Sequence, residues 1–247
     1  MLDLICDTAR VRVLSIVHEQ SAGSGVFGAA AVQRGDRLLE WLPAEAAAPA
    51  ADRCDAALVF GGAMHVDQER QHPWLRGEKQ LLRDLLARDV PVLGVCLGAQ
   101  LLAEVTGGSA QRSAQPEIGW HAVELDAKAA GDPLLAPLRA SFDSFQWHSY
   151  ELSAPGDAIA LARSASCLQV FRLRGKDSWG VQFHAEATLE TITDWVREYR
   201  SDEDAVRAQL DWATVLAQTR WRIASWNELG MGLCRRFLDH AESSSGR

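Results

Sequence analysis

The stretch that most constrains this chain is Val90 to Glu104, VPVLGVCLGAQLLAE. Val90 to Val95 is an unbroken apolar run of strand length, which suits a strand buried on both faces of a parallel sheet. Leu97 to Val105 carries apolar residues at helical spacing and meets a stop signal at Gly107-Gly108. Strand and helix join through Gly94-Val95-Cys96-Leu97-Gly98 with no loop between them. A G-x-C-x-G elbow of this kind holds its central residue in a strained backbone conformation, and the flanking glycines leave room for the crossing chain. The Cys96 thiol is thereby lifted out of the sheet. The positive end of the following helix lies beside the sulfur and favours thiolate over thiol.

The chain has five cysteines, and free cysteines are more often buried and inert than reactive. Cys6, Cys54, Cys167 and Cys234 are read that way; the elbow separates Cys96 from them. Their odd number, wide scatter and lack of a CxxC pair fit a reducing compartment.

Around the elbow, Val11–Val17, Arg37–Leu42 and Asp55–Phe60 read as buried parallel strands, and residues 74–88 read as a helix through Leu75, Leu81, Leu82, Leu85 and Leu86. Strands alternating with helices imply an α/β fold with a mixed, mostly parallel central sheet flanked by helices. Past the elbow, short runs at 120–125, 158–162, 168–173 and 179–183 predict antiparallel additions to that sheet. From Thr188 the pattern is helical, first through Tyr199 and then, after the acidic link 201–204, through two further helices ending near His240. Residues 1–200 are taken as the catalytic domain and 201–247 as a helical extension packed on it. Trp195, Trp212, Trp221 and Trp226 are assigned to the chain's own core in preference to a partner surface, and Glu242–Arg247 to a frayed end.

With 247 residues, of which 47% are hydrophobic, the chain has enough material for one sizeable core. Its net charge of -8 argues against a nucleic-acid partner. No apolar run reaches signal-peptide or membrane-spanning form, so the expectation is a soluble, cytoplasmic protein that does not engage membranes.

The second chemical signal is Trp179–Glu186, WGVQFHAE. His184 closes a strand and Glu186 follows two residues later on the same face. A cysteine hydrolase needs an imidazole to move protons and a carboxylate to fix its tautomer, and this pair supplies both. A bare His-x-Glu is weak on its own. Its place at a strand end in an α/β sheet strengthens it.

These residues resemble the class I glutamine amidotransferase family, particularly members similar to the amidotransferase domain of GMP synthetase. The resemblance covers most of the chain and rests on ordered matches. They are Phe60-Gly61-Gly62 ahead of the 67–75 loop, the elbow GVCLGAQ, Ile118-Gly119-Trp120, the WHS stretch at Trp147–Ser149, Gln169-Val170-Phe171 and VQFHAE. It implies a flavodoxin-like fold and a triad of Cys96 as nucleophile, His184 as general base and Glu186 as orienter. The resemblance also puts the oxyanion-hole amides on Gly62 and Leu97 and glutamine binding on Gln100. His148, Ser149 and Tyr150 are placed in the same pocket by a looser match. The family usually has proline between its histidine and glutamate, where this chain has Ala185, so a looser turn is expected there.

The implied activity is hydrolysis of the glutamine side-chain amide, with ammonia passed to an acceptor on a separate synthetase chain, since no GxxxxGK[ST] signature appears. Neither a cofactor nor a metal is expected. His18, His65, His72, His121 and His240 lack ligand spacing and are read as surface or capping residues. Hydrolysis of γ-glutamyl peptides or conjugates uses the same thioester and is an open alternative. An alternative of another class is a dinucleotide-binding module, because Gly23–Gly28 spells G-x-G-x-x-G with Glu40 as a ribose partner. There His18–Ala22 separate the first glycine from the strand end, and a plain flexible loop is preferred. A catalytically silent interaction protein is the third alternative.

Overall fold

A computed structural model of the chain describes residues 10–19 and 22–244. The readings of Cys6, of the N-terminal leader and of residues 245–247 lie outside the described residues.

The architecture is a nine-stranded sheet in the order β2-β1-β3-β4-β9-β8-β7-β5-β6, with helices on both faces. The parallel part comprises β1 (Arg12–Ile16), β2 (Arg37–Trp41), β3 (Ala56–Val59), β4 (Val92–Val95) and β9 (Ser178–Val181). β9 then pairs antiparallel with β8 (Leu168–Arg172), and β7 (Ile159–Arg163), β5 (Ser109–Leu125) and β6 (Ser141–Ser153) continue outward antiparallel. The sheet is thus mixed, with the antiparallel additions in the second half of the chain.

Alternation along the strands sorts the side chains into two cores. Val13 on β1 and Ala56 and Leu58 on β3 face one way, toward α1 (Gly25–Arg34), α4 (Leu189–Tyr199) and α6 (Trp212–Ser244). Leu14, Ile16, Ala57 and Val59 face the other, toward α2 (Leu75–Ala87) and α3 (Leu97–Val105). On α2 the five leucines read from the sequence are all buried, as a 3.6-residue period requires.

Several sequence expectations are corrected. The 37–42 run, expected as a buried strand, forms the edge strand β2 with Arg37 and Glu40 exposed, because β1 alone pairs with it. The sequence pattern does not mark β6 as a strand, and it marks β5 only from Trp120 onward. The inward positions of β6 include Ser144, Gln146 and His148, all buried, so the apolar alternation that marks a half-buried strand is missing. α5 (Glu203–Arg207) is a single short turn, and α6 runs 33 residues to Ser244, past the point where fraying is expected. Its last turn is tied down by Glu242, which accepts from Arg10 and Arg34, and by Ser244, which donates to Asp177. His18 is corrected as well: it is 7% exposed and lies beneath the candidate site, not on the surface.

Of the four tryptophans assigned to the core, Trp195 and Trp226 are buried and Trp212 stacks on Trp147, but Trp221 stands 80% exposed and is not a core residue. No helix among the described residues is long and apolar enough to cross a membrane.

Candidate functional site

β4 ends at Val95 and α3 begins at Leu97, leaving Cys96 at φ 52° and ψ -108°, a left-handed position that a residue with a Cβ rarely takes. Two features hold it there. Its N–H donates to Val181 O on β9 at 2.8 Å, and the chain crosses itself too closely for side chains at the flanking glycines. A Cβ on Gly94 would lie 2.5 Å from Gly98 O, and one on Gly98 would lie 2.2 Å from Val59 O. The sulfur therefore projects above the carboxyl ends of the parallel strands, where open α/β sheets bind ligands.

β9 is the neighbour of β4, so the segment that follows β9 is delivered directly over Cys96. His184 N–H donates to Phe145 O at 2.9 Å and anchors the residue to β6. Its Nδ1 donates to Glu186 Oε1 at 2.7 Å, which leaves Nε2 for the thiol side. Burial opposes a charge on this imidazole, but Glu186 and Cys96 outweigh it and lift its pKa to about 10. Trp195 from α4 packs its edge on the ring, 4.7 Å between centroids. Both His184 and Glu186 are buried, at 3% exposure each.

Cys96 and His184 open into a pocket, and all six residues that the resemblance placed around the substrate line it: Gly62, Leu97, Gln100, His148, Ser149 and Tyr150. Their side chains differ in what they offer. Gln100 Nε2 donates to Gln182 Oε1 at 3.2 Å and Tyr150 O at 3.4 Å, so its amide is partly engaged. His148 turns its ring into the wall, donating from Nδ1 to Tyr150 O at 2.9 Å, with Nε2 lying 3.3 Å from Glu117. Tyr150 donates its hydroxyl to Asp67 at 3.1 Å and stacks on His65 at 4.0 Å. Among the described residues, no acceptor takes the N–H of Gly62 or Leu97.

The sequence does not point to Glu19, Tyr199, Asp202 and Asp204, which also line the pocket. Glu19 accepts from Ala63 N–H at 3.2 Å and from the Tyr199 hydroxyl at 3.0 Å, closing one side of the mouth. No local pattern marks these residues; they converge because the end of α4, the start of α5 and the segment after β1 meet at the pocket.

The buried cysteines behave as read, with one elaboration. Among the described residues, Glu117, His148 and Cys167 bring ligand-type atoms within 4.8 Å of one another. Hydrogen bonds account for this grouping. Glu117 Oε2 accepts from Gln169 at 2.9 Å, Ser164 at 3.0 Å and Cys167 at 3.4 Å. Burial and Glu117 push the Cys167 thiol up to about 12, so it keeps its proton and donates it. Burial works against the Glu117 charge, but His148, Ser164 and Cys167 outweigh it and bring the carboxyl to about 2.

The glycines at 23–28 do not form a flexible loop. They open α1, and its Val26 N–H donates to Glu186 O at 2.9 Å. A Cβ on Gly25 would lie 2.0 Å from that same oxygen. The helix terminus that a dinucleotide pyrophosphate needs is thus filled by the segment carrying His184 and Glu186.

Comparison with known proteins identifies the family and the fold. Residues 34–198 match the family described as glutamine amidotransferase class-I. The chain is 27% identical over 235 residues to the glutamine amidotransferase-like protein YfeJ of Salmonella typhimurium, covering 93% of this chain and 96% of that one. It is 33% identical over 104 residues to one of the subunits of the glutamine-hydrolysing GMP synthase of Sulfurisphaera tokodaii, covering 41% of this chain and about half (54%) of that one. A crystal structure of a glutamine amidotransferase from Thermotoga maritima superposes with a TM-score of 0.82 at 25% identity, covering 93% of this chain and 99% of that one. With the cysteine elbow, the His184–Glu186 pair and the glycine turn assembled as the fold requires, this chain belongs to the class I glutamine amidotransferase family.

Proposed function

We propose that the protein hydrolyses the side-chain amide of glutamine through a γ-glutamyl thioester on Cys96 and passes the ammonia to an acceptor held by another chain. The observation that carries this reading is Cys96 at the elbow beneath an imidazole whose Nδ1 is tied to Glu186 at 2.7 Å.

The chemistry follows from that arrangement. His184 takes the Cys96 proton, and the sulfur attacks the amide carbon to form a tetrahedral oxyanion. The N–H groups of Gly62 and Leu97 are the proposed donors to it, each worth about 3–4 kcal/mol of transition-state stabilisation. The C–N bond breaks as His184 returns the proton to the departing nitrogen, releasing ammonia. A water, deprotonated by the same imidazole, then attacks the thioester, and C–S cleavage frees glutamate and restores the thiol. Glu186 keeps Nδ1 protonated throughout, so that Nε2 is the nitrogen that exchanges protons.

A partner is proposed because a relative is named as one subunit of a glutamine-hydrolysing synthase. Residues 1–200 form the proposed catalytic unit, with 201–247 as a helical extension packed against it, and the cytoplasm is the proposed compartment.

A second reading, hydrolysis of a γ-glutamyl conjugate, is favoured by the mouth of the pocket. Glu19, Asp202 and Asp204 line it, and no Lys or Arg does among the described residues. That lining suits a ligand carrying amine groups beyond the scissile amide. Purified protein incubated with glutamine, and separately with a γ-glutamyl dipeptide, should release glutamate, with Cys96→Ala as the control. Glutamate from glutamine supports the amidotransferase; release from the dipeptide alone supports the conjugate hydrolase; release by Cys96→Ala overturns both.

A further inference from the structure

Behind the Gly61-Gly62 turn lies a buried ion pair that the proposed reaction does not use. His18 follows β1 and Glu78 stands on α2; neither side chain has any exposed surface. His18 Nδ1 is 3.0 Å from Gly61 O, and Nε2 is 2.9 and 3.0 Å from the two Glu78 oxygens. A carbonyl and a carboxylate only accept hydrogen bonds, so both ring nitrogens carry hydrogen and the ring is an imidazolium. Burial opposes that charge and Glu78 favours it, and the net effect is a raised His18 pKa. Trp74 stacks on the ring at 5.5 Å. A buried ion pair is a poor way to gain stability, because apolar side chains of similar volume often do as well or better. Its position suggests a different role.

Gly61 O and the Gly62 N–H belong to one trans peptide and point to opposite sides of it. Between two glycines such a peptide meets little steric resistance to turning over. The turn is also sandwiched. A Cβ on Gly61 would lie 2.9 Å from His184 Cε1 and 3.4 Å from Cys96 Cβ, whereas one on Gly62 would lie 2.9 Å from His18 Cβ. With the Gly61 oxygen held by His18, the Gly62 N–H is directed away from His18, into the pocket that Gly62 shares with Cys96.

We propose that His18, held by Glu78, is a positioning residue that locks the Gly61–Gly62 peptide with its N–H presented to the oxyanion formed at Cys96. This rests on the reading of Cys96 as a nucleophile that accepts acyl groups. It adds a two-residue support to the oxyanion site, drawn from the segment after β1 and from α2, with neither side chain lining the pocket.

The test compares two double variants that differ only in whether a donor to Gly61 O remains. H18L/E78L removes both charges together and so leaves no buried ion unpaired. H18N/E78L keeps an amide N–H near the place of Nδ1. Three rates are read at Cys96: alkylation by iodoacetamide, which displaces iodide without forming an oxyanion; the acylation burst with p-nitrophenyl acetate, which forms one without any glutamyl group; and glutamine hydrolysis. In H18L/E78L the acylation burst and the glutamine kcat should fall about 100-fold, with KM and alkylation unchanged, as for loss of one oxyanion donor. H18N/E78L should recover most of the loss.

Equal falls in alkylation and acylation, an unchanged burst in H18L/E78L, or no recovery in H18N/E78L would each overturn the proposal. Wild-type protein that is acylated by the ester but inert toward glutamine and γ-glutamyl dipeptides overturns the proposed function alone, and the burst then decides this inference. Wild-type protein inert toward the ester, glutamine and γ-glutamyl dipeptides alike overturns both; where only the ester fails, the glutamine kcat of the two variants decides this inference.

Discussion

Trp226, on the long helix α6, donates its indole N–H to the main-chain oxygen of His184 at 2.9 Å. Each carbonyl from His184 to Ala187 is met by a neighbouring helix. Gly230 of α6 approaches Ala185 O so closely that a Cβ there would lie 2.0 Å from it. Val26 of α1 donates to Glu186 O, and Asn227 of α6 donates to Ala187 O at 2.9 Å. The turn that the family usually stiffens with proline is held here from outside by two helices. Trp226, Asn227 and Gly230 all lie beyond the residues that match the family, 34–198.

Trp226→Phe keeps the aromatic packing but leaves the His184 oxygen unpaired. Loss of about 1–3 kcal/mol of stability is expected, together with a lower kcat at nearly constant KM. Urea denaturation alongside steady-state kinetics checks both; stability lost with kcat intact means α6 holds the fold and not the imidazole.

Gly61→Ala puts a methyl group 2.9 Å from His184 Cε1. The imidazole must shift, and a displacement near 1 Å is expected to lower glutamine turnover about 100-fold. Circular dichroism and kinetics together check that the fold survives while turnover falls.

Cys96→Ala should abolish turnover and leave the fold intact, since alanine removes only the sulfur from a small buried site. Glu186→Gln should reduce activity less than His184→Ala, because an orienter contributes less than the base it orients. The three kcat values measured side by side check the ranking, and the reverse order would exchange the two roles.

The Glu117 carboxyl is lowered from the ordinary 4.5 to about 2 in the folded chain. A depressed carboxylate pKa stabilises the fold fully above its unfolded value, and that contribution is lost as pH falls from about 4.5 toward 2. Glu117→Gln should therefore show a flatter fall in stability across this window than wild type, measured by denaturant melts at stepped pH. Parallel curves for the two proteins would mean that the hydrogen-bonded cluster does not depend on the charge.

What was legible in the sequence was legible because it is local. The elbow at Gly94–Gly98 announces itself through an apolar run, two glycines and a helical period within fifteen residues. His184 and Glu186 share a face because they are two positions apart on an extended segment. The central parallel strands β3 and β4 carry unbroken apolar runs because both their faces are covered, whereas the edge strand β2 leaves Arg37 and Glu40 exposed. β6 escapes for the opposite reason, since its inward Ser144, Gln146 and His148 are polar and bond partly within their own strand and partly to His121 on β5 and Gln169 on β8.

The sequence by itself thus determined the α/β class, the elbow and the three residues of the candidate triad. Only the tertiary structure decided that His18 meets Glu78 across 60 positions, that α6 reaches back to hold the His184 turn, and that Glu19, Asp202 and Asp204 meet at the pocket mouth. Strand order and helix docking set those meetings. They depend on which buried surfaces fit together over the whole chain, and no window of neighbouring residues contains that information.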